Sequence, residues 1–412
     1  MNSENDYEVI KKCRVCGSLD VVDVLDLGMQ PLANSLKQKA NAQEEKYPLT
    51  LAFCQDCSLV QLRETIRKEI LFDSYVWVTG TSETAKDYAK TFYERTVNIS
   101  GLKKGDLVIE IASNDGIFLK PFYSEGFSVI GIEPAKNIAA MAKKIGIRTF
   151  EAYWNLTNAE KIVSDFGYAH VIFARNVIPH VSELHSVIQG IECCLDPEGV
   201  GIIEFHYSGI ILEELHYDSI YHEHLCYFSI RSLEYLLNQF NLFSFHIDTS
   251  PISGGSYVIY FSRKKRQQSE NYLNLLEKEN LIGVNNVQTW NAFAKSCYEH
   301  REKSIDIAES FSSKTVLGFG ASARSSTYLN FCGFDSAHIK AIIDNNPLKQ
   351  GMYSPGGSIP IVTLKSGMQM NPDLIFILAW NFRDEIIKEC RVNGYVGEFL
   401  VAFPQSPYYF RG

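Results

Sequence analysis

Between residues 100 and 205 short apolar runs rich in Val and Ile alternate with helical stretches. Segments 107–111, 128–132, 170–174 and 200–205 are strand-like, and helices are expected around 117–125, 135–145, 157–164 and 182–194. This alternation predicts a parallel sheet with helices on both faces. Segments 242–248 and 256–262 flank Pro251-Ile-Ser-Gly-Gly255, a hairpin closing one sheet edge. From about 266 to 312 the chain is polar, with apolar residues at helical spacing and one Gly, so one long helix or two shorter ones bridge to a further block. That block repeats the α/β pattern, with strand-like 315–318, 339–343, 374–379 and 399–402. Residues 1 to about 75 differ: they hold paired Cys, short apolar runs and few helical patterns. The expected organisation is α/β in three parts: 1–75, 76–265 and 266–412.

The chain has 412 residues, 46% hydrophobic and 21% charged, as expected of a soluble globular protein. At roughly 100–200 residues per domain this length suits two or three domains. A net charge of −9 lacks the basic surplus that displaces counterions from a nucleic-acid backbone, so no nucleic-acid partner is expected. A small anionic ligand stays open, because a few Arg and a helix N-terminus suffice for it. No apolar run reaches about 18 residues, so no membrane helix is expected. Met1-Asn-Ser-Glu-Asn-Asp6 reads as neither signal nor transit peptide. Ten Cys without a secretion signal point to the reducing cytoplasm, where clustered Cys favour metal over disulfides.

Cys13-Arg-Val-Cys16 and Cys54-Gln-Asp-Cys57 are two C-x-x-C pairs. Four thiolates on two tight turns close a tetrahedral zinc shell and leave no position for water, so the expected ion is structural. A redox pair would need one motif, not two. The other Cys, at 193, 194, 226, 297, 332 and 390, lack ligand spacing and read as core residues.

Leu107-Val-Ile-Glu-Ile-Ala-Ser-Asn-Asp-Gly-Ile-Phe118 reads as strand, turn and helix start. Open α/β sheets bind ligands at such strand ends. Gly116 is expected to let the backbone pass close to a bound molecule, with Asn114 and Asp115 offering polar groups. About twenty residues on, Ser128-Val-Ile-Gly-Ile-Glu133 ends in an acid able to accept both ribose hydroxyls of a nucleoside. The absence of G-x-G-x-x-G disfavours a dinucleotide and favours an adenosyl ligand without phosphates. The third strand leads through Asn176, which would line the same crevice, to His180, which follows Pro179 and reads equally as a buried packing residue.

Tyr217-Asp-Ser-Ile-Tyr-His-Glu-His-Leu-Cys-Tyr-Phe228 gathers three Tyr, two His and a Glu after the fourth strand, Gly201-Ile-Ile-Glu-Phe-His206. Tyr221, His222, Glu223 and His224 are adjacent, so only a subset can face one pocket and move protons near neutral pH. The order matches neither a zincin nor a zinc deaminase motif.

Taken together, the pattern resembles the three-domain sugar C-methyltransferases, which methylate a nucleotide-linked 4-keto-deoxysugar at the carbon beside the ketone. The likeness runs essentially end to end: Cys13-Arg-Val-Cys-Gly17, Asp26-Leu-Gly-Met-Gln-Pro-Leu-Ala-Asn34, Tyr47-Pro-Leu49, Cys54-Gln-Asp-Cys-Ser-Leu-Val60, the cofactor loop, Tyr221-His-Glu-His-Leu225, Ser253-Gly-Gly-Ser256, Asp344-Asn-Asn-Pro-Leu-Lys-Gln-Gly351 and Ala379-Trp-Asn-Phe382. The resemblance implies a zinc-binding N-terminal domain (Cys13, Cys16, Cys54, Cys57), a Rossmann-like class I methyltransferase domain and a second Rossmann-like α/β domain. S-adenosylmethionine would be held by Glu110, Ala112, Asn114, Asp115, Gly116, Glu133, Pro134, Asn155 and Asn176. His224 would be the general base, with Tyr221, Glu223, His180 and Tyr75 beside the sugar and C3 the expected acceptor. The nucleotide sugar would lie against the C-terminal block, with His222, Arg324, Ser325, Lys349, Trp380, Asn381 and Arg383 as its expected contacts. Lys349 and Arg383 read equally as solvated surface charge. A monomer or small homo-oligomer is expected.

One departure stands out. The family's C-terminal glycine loop usually reads like Gly-x-Ala-x-Lys-Gly-Asn, whereas Gly318-Phe-Gly-Ala-Ser-Ala-Arg-Ser-Ser326 carries Arg324 for Lys and Ser-Ser for Gly-Asn. Arg324 would meet a diphosphate with forked geometry. Other readings are O- or N-methylation of a nucleotide sugar, a non-catalytic nucleotide-sugar-binding protein, and a dehydrogenase built on the incomplete Gly318-Phe-Gly320 loop.

Overall fold

The computed structural model describes residues 6–72, 79–81, 83–251 and 255–411. Tyr75 and the tip of the expected hairpin, with Ser253 and Gly254, lie outside these residues.

The N-terminal block is built on two long antiparallel strands, Val21–Pro31 and Lys46–Cys54, where only short runs were expected. Burial along Val21–Pro31 broadly alternates, so one face meets the core. The register slips between Asp26 and Met29, where Gly28 takes φ 75° and its N–H donates to Asp26 Oδ1 at 2.7 Å. Val60–Leu62 adds a third strand, and a fourth, Cys226–Tyr227, comes from the middle of the chain.

The middle sheet has seven strands in the order Phe243–Ser250, Ser256–Ser262, Leu195–His206, Ala169–Arg175, Leu107–Ile111, Ser128–Ile132, Arg148–Phe150. The last five are mutually parallel, and the first two form the expected antiparallel edge hairpin. Leu107–Ile111 is buried throughout because helices cover both faces. Val108 packs with Tyr88, Phe92, Phe118 and Phe122, while Ile109 packs on the opposite side with Ile162 and Ile188. Helix Glu83–Ser100, absent from the sequence-based expectation, supplies Tyr88 and Phe92. Neighbouring strands Leu107–Ile111 and Ala169–Arg175 lead away in opposite directions along the sheet order, and the crevice beyond their ends is the usual ligand site of an open α/β sheet.

The bridge to the last block is two helices, Glu270–Ile282 and Val287–Glu309. Gly283 ends the first in the left-handed region (φ 68°), and Asn286 caps the second by accepting from Gln288 N–H. The C-terminal sheet runs Ile361–Val362, Ala341–Ile343, Val316–Phe319, Leu374–Ile377, Glu398–Val401, Tyr408–Phe410, parallel except for the last strand. The fold class is therefore the expected one. The apolar interior does not follow the three-part division, however. One continuous cluster joins Leu51 and Leu62 of the N-terminal sheet, Tyr217 and Ile220 of the middle block, Trp290 of the bridge, and Val316 and Phe376 of the C-terminal sheet.

Candidate active site and metal centre

The four Cys of the two pairs come together with all Sγ atoms within 4.8 Å of one another. Cys13–Cys57 and Cys16–Cys54 are separated by 3.5 and 3.4 Å. Tetrahedral zinc with bonds of about 2.3 Å needs sulfur separations of about 3.8 Å, so this donor set fits a closed zinc shell. Each pair sits on a turn whose next residue is left-handed, Gly17 (φ 73°) and Ser58 (φ 63°), and whose N–H returns to the first Cys carbonyl. Of the remaining Cys, 194, 226, 297, 332 and 390 are buried and 193 is partly so, as expected of packing residues.

At the switch-point crevice the loop after Leu107–Ile111 is strongly kinked, with Ala112, Asn114 and Gly116 at φ 54°, 49° and 79°. Glu133 holds it: Oε2 accepts from Asn114 N–H and Oε1 from Ala135 N–H, each at 2.9 Å. A carboxylate keeps further lone pairs, so these bonds leave room for hydroxyls. Asn114 Oδ1 and Asp115 Oδ2 accept from the N–H groups of Thr79 (2.9 Å) and Gly80 (3.0 Å), tying the loop to the Thr79–Thr81 turn. Glu110 Oε2 and Asp115 Oδ1 are buried without a hydrogen-bond partner. Burial pushes the Glu110 carboxyl well above the usual range, opposed by Arg175 and reinforced by Asp115, Glu133 and Glu204. Orphaned acidic oxygens suit a cationic ligand and oppose a diphosphate, so the loop fits S-adenosylmethionine.

Three expected cofactor contacts need correction or refinement. Gly116 is also required by packing: a Cβ there would meet Ile147 Cγ1 at 3.1 Å and Ala142 Cβ at 3.2 Å, and its left-handed φ favours Gly. Asn155 caps helix Leu156–Phe166, its Oδ1 accepting from Asn158 N–H at 2.9 Å. Asn176 (φ 50°) lies in the crevice and donates to Glu204 Oε1 at 3.3 Å, beside the buried Arg175–Glu204 ion pair (2.8 Å). Pro134, partly buried, follows Glu133 on the same crevice wall.

The acid–base cluster divides as adjacency requires. His224, Tyr221 and His180 gather: ring centroids lie 4.0 Å apart for Tyr221–His224 and 4.7 Å for His180–His224. His224 Nδ1 lies 2.9 Å from the Ser219 carbonyl, which can only accept, so Nδ1 carries the proton and Nε2 the lone pair. Burial, then His180, holds His224 well below the usual imidazole range, so the ring is neutral. Burial likewise pushes His180 down to about 4, opposed by the Glu223 and Asn176 backbones, and its Nδ1 is buried without a partner. Glu223 Oε1 accepts from Asn34 Nδ2 at 2.7 Å, and burial raises its carboxyl to about 7, with Asn34 opposing. His222 points the other way. Its Nε2 meets the Pro48 carbonyl at 3.0 Å and its ring stands edge-on to Tyr47, so it braces the N-terminal sheet and is not an open substrate contact. Burial pushes it down to about 4.

The C-terminal candidates are mostly engaged within the protein. Arg324 forks onto Asp218 (Nε–Oδ2 3.0 Å, Nη2–Oδ1 2.8 Å), and Trp380 Nε1 donates to the same Oδ2 at 2.8 Å. The Arg324 guanidinium stands 4.6 Å from the Trp380 ring centroid. Ser325 closes a capping box with Ser322 at the start of helix Ala323–Cys332 and is buried, so it is a helix residue and not a substrate contact. Lys349 Nζ donates to the Ala321 carbonyl at 2.7 Å and pins its own glycine loop. Arg383 bonds Tyr408 (3.0 Å) and Asp384 (2.8 Å), while Asn381 is exposed on the Trp380–Phe382 turn. Gly320 (φ 98°) faces Ala379, whose Cβ would lie 2.3 Å from an added Cβ, and Asp344 Oδ2 already accepts from Ala321 N–H at 2.8 Å. Gly320 is therefore required where this loop packs against Ala379, just beyond the Leu374–Ile377 strand.

Four cleft residues escaped the sequence-based reading: Asn34, Asp218, His206 and His216. His206 ends strand Leu195–His206, its Nε2 buried without a partner, and its ring stacks on His216 at 6.0 Å. Its place at the end of a parallel strand was the available signal. Only the tertiary fold brings Asn34 near Glu223, whereas Asp218 lies inside the 217–228 segment and only its partner Arg324 is distant in sequence.

Three family models match the chain: "Putative zinc binding domain" over residues 13–72, "Methyltransferase domain" over 83–243 and "C-methyltransferase C-terminal domain" over 251–404. Among solved structures it is similar to the S-adenosylmethionine-bound magnesium protoporphyrin IX methyltransferase of Synechocystis PCC 6803 (12% identity, 44% of this chain and 80% of that chain, TM-score 0.34). A S-adenosylmethionine-dependent methyltransferase of Clostridium acetobutylicum is similar at 10% identity, 48% of this chain and 96% of that one, TM-score 0.35. Sheet, loop and family models define a S-adenosylmethionine-dependent methyltransferase with a four-Cys zinc centre. The chain is also 32% identical over 405 residues to the C-methyltransferase NovU of Streptomyces niveus, with 96% of each covered. It belongs to this family of C-methyltransferases.

Proposed function

We propose that the protein methylates a nucleotide-linked 4-keto-deoxysugar at the ring carbon beside the ketone, C3, with His224 as general base. The observation that carries this reading is the Nδ1 contact of His224 with the Ser219 carbonyl, which leaves Nε2 as a neutral proton acceptor against Tyr221 and His180. A proton α to a ketone is acidic only when the enolate is stabilised. Nε2 takes that proton, and the Tyr221 hydroxyl, or the half-buried His180 as N–H donor, stabilises the developing oxyanion. Glu110, Asp115 and Glu133 would hold S-adenosylmethionine, which supplies an electrophilic methyl when bound. Asn34 and Glu223 orient the sugar edge nearest the N-terminal sheet. The depressed basicity of His224 means that enolate stabilisation, not a strong base, must drive proton removal.

The same reading divides the chain into 1–75, 76–265 and 266–412 and places it in the cytoplasm as a monomer or small homo-oligomer. Among the described residues no helix is long and apolar enough to cross a membrane. The test is incubation with a panel of nucleotide-linked 4-keto-deoxysugars in D₂O, first without cofactor. One of them is expected to exchange its α-proton, and labelled S-adenosylmethionine then to place the methyl on that carbon by NMR. Methyl transfer to oxygen or nitrogen with no α-exchange would overturn it.

A further inference from the structure

The segment carrying the base is held from outside its own sheet. Tyr217 OH bonds His300 Nδ1 at 2.8 Å, and the Ile220 carbonyl accepts from Thr327 Oγ1 at 3.1 Å. Between them Asp218, 1% exposed, receives the Arg324 fork and the Trp380 indole. Residues 300, 324, 327 and 380 all belong to the bridging helix and the C-terminal block. The next residue, Ser219, offers the carbonyl that His224 Nδ1 bonds, and its own Oγ donates to the His216 carbonyl at 2.7 Å.

We propose that Asp218 and Arg324 are positioning residues: the C-terminal block grips Asp218, fixes the Ser219 carbonyl, and so sets the ring orientation and tautomer of His224. This also accounts for Arg at a position where Lys is usual in the glycine loop. A planar fork makes two parallel bonds to a carboxylate and fixes its plane, whereas an ammonium makes a point contact. Arg324 thereby serves the reaction through Asp218.

The proposal rests on His224 being the base, and the experiment separates the two. Histidine-¹⁵N-labelled protein is compared as wild type, Arg324→Lys, Thr327→Val and His224→Gln, the last assigning the His224 signals. Long-range ¹H–¹⁵N correlation reads each tautomer without substrate. S-adenosylhomocysteine affinity and Tm report the fold, and α-proton exchange uses the 4-keto sugar that the wild type exchanges. In Arg324→Lys we expect His224 to lose its pure Nδ1–H signature and exchange to fall by about 10²-fold, the scale of a displacement of about 1 Å, with S-adenosylhomocysteine affinity unchanged. Thr327→Val, which removes a gentler grip on the same segment, is expected to shift both readouts in the same direction and decides the matter if Arg324→Lys does not fold. Wild-type tautomer and exchange in the folded variants, with exchange abolished in His224→Gln, overturn the proposal and leave the base standing. Full exchange in His224→Gln overturns the base assignment instead.

Discussion

At Glu223 the sequence shows one acid among four adjacent polar residues, and only the fold assigns it a role. Its carboxyl is raised from 4.5 to about 7 by burial. Between these values the folded protein holds a proton that the unfolded chain has released, so stability contributed at low pH is lost as pH rises through that window. His180, pushed down to about 4, has the opposite slope: the unfolded chain binds a proton below 6.5 that the folded one refuses. Glu223→Gln removes the first slope and leaves the second. Thermal scans from pH 5 to 8 should show the variant gaining Tm relative to wild type as pH rises. A constant difference across that range would contradict the raised carboxyl. His222 makes the complementary point. Neighbours one residue apart point to opposite sides, and nothing in Tyr-His-Glu-His says which His faces the cleft until Pro48 and Tyr47 are seen to claim His222.

At the scale of elements, much was legible from patterning. The strands Leu107–Ile111, Ser128–Ile132 and Ser256–Ser262 fall where the apolar runs put them, because strands buried on both faces read as continuous hydrophobic segments. Helix Glu83–Ser100 was missed although Ala85, Tyr88, Ala89 and Phe92 mark one helical face at i, i+3, i+4 and i+7. Its intervening Lys, Asp and Thr hide the stripe from inspection by composition. The loop at 112–116 was legible as a turn between strand and helix, but not the packing duty of its Gly. Gly116→Ala should cost about 1–2 kcal/mol through left-handed strain and the Ile147–Ala142 contact. Chemical denaturation would measure this, and a neutral substitution would mean that helix Lys136–Lys144 can move aside.

At the scale of the whole molecule, one sheet ties the four-Cys block to the segment that follows His224. Cys226–Tyr227 pairs with Val60 and Gln61, just beyond Cys57, and Leu62 N–H donates to the Leu225 carbonyl at 3.0 Å, one residue from His224. Cys54→Ser should therefore lower Tm by about 10 °C or more and reduce methyl transfer further than it weakens S-adenosylhomocysteine binding, since the cofactor loop lies on another sheet. Equal losses in transfer and binding would show that the metal supports only global folding. The Cys spacing announced the metal clearly. That the same sheet reaches the segment next to His224 was illegible, because strand pairing between residues 60 and 227 leaves no local trace in either segment.

The grip on residues 217–220 has a consequence in time. The chain is made from its N-terminus, and the crevice loop at 110–116 and its supporting strands leave the ribosome long before Arg324, Thr327 and Trp380 do. A nascent chain can thus complete its adenosyl-binding sheet while its imidazole still lacks a fixed aim. On the proposed role of Arg324, a chain ending before residue 324 would keep the strands of its middle sheet and lose the contacts that orient His224.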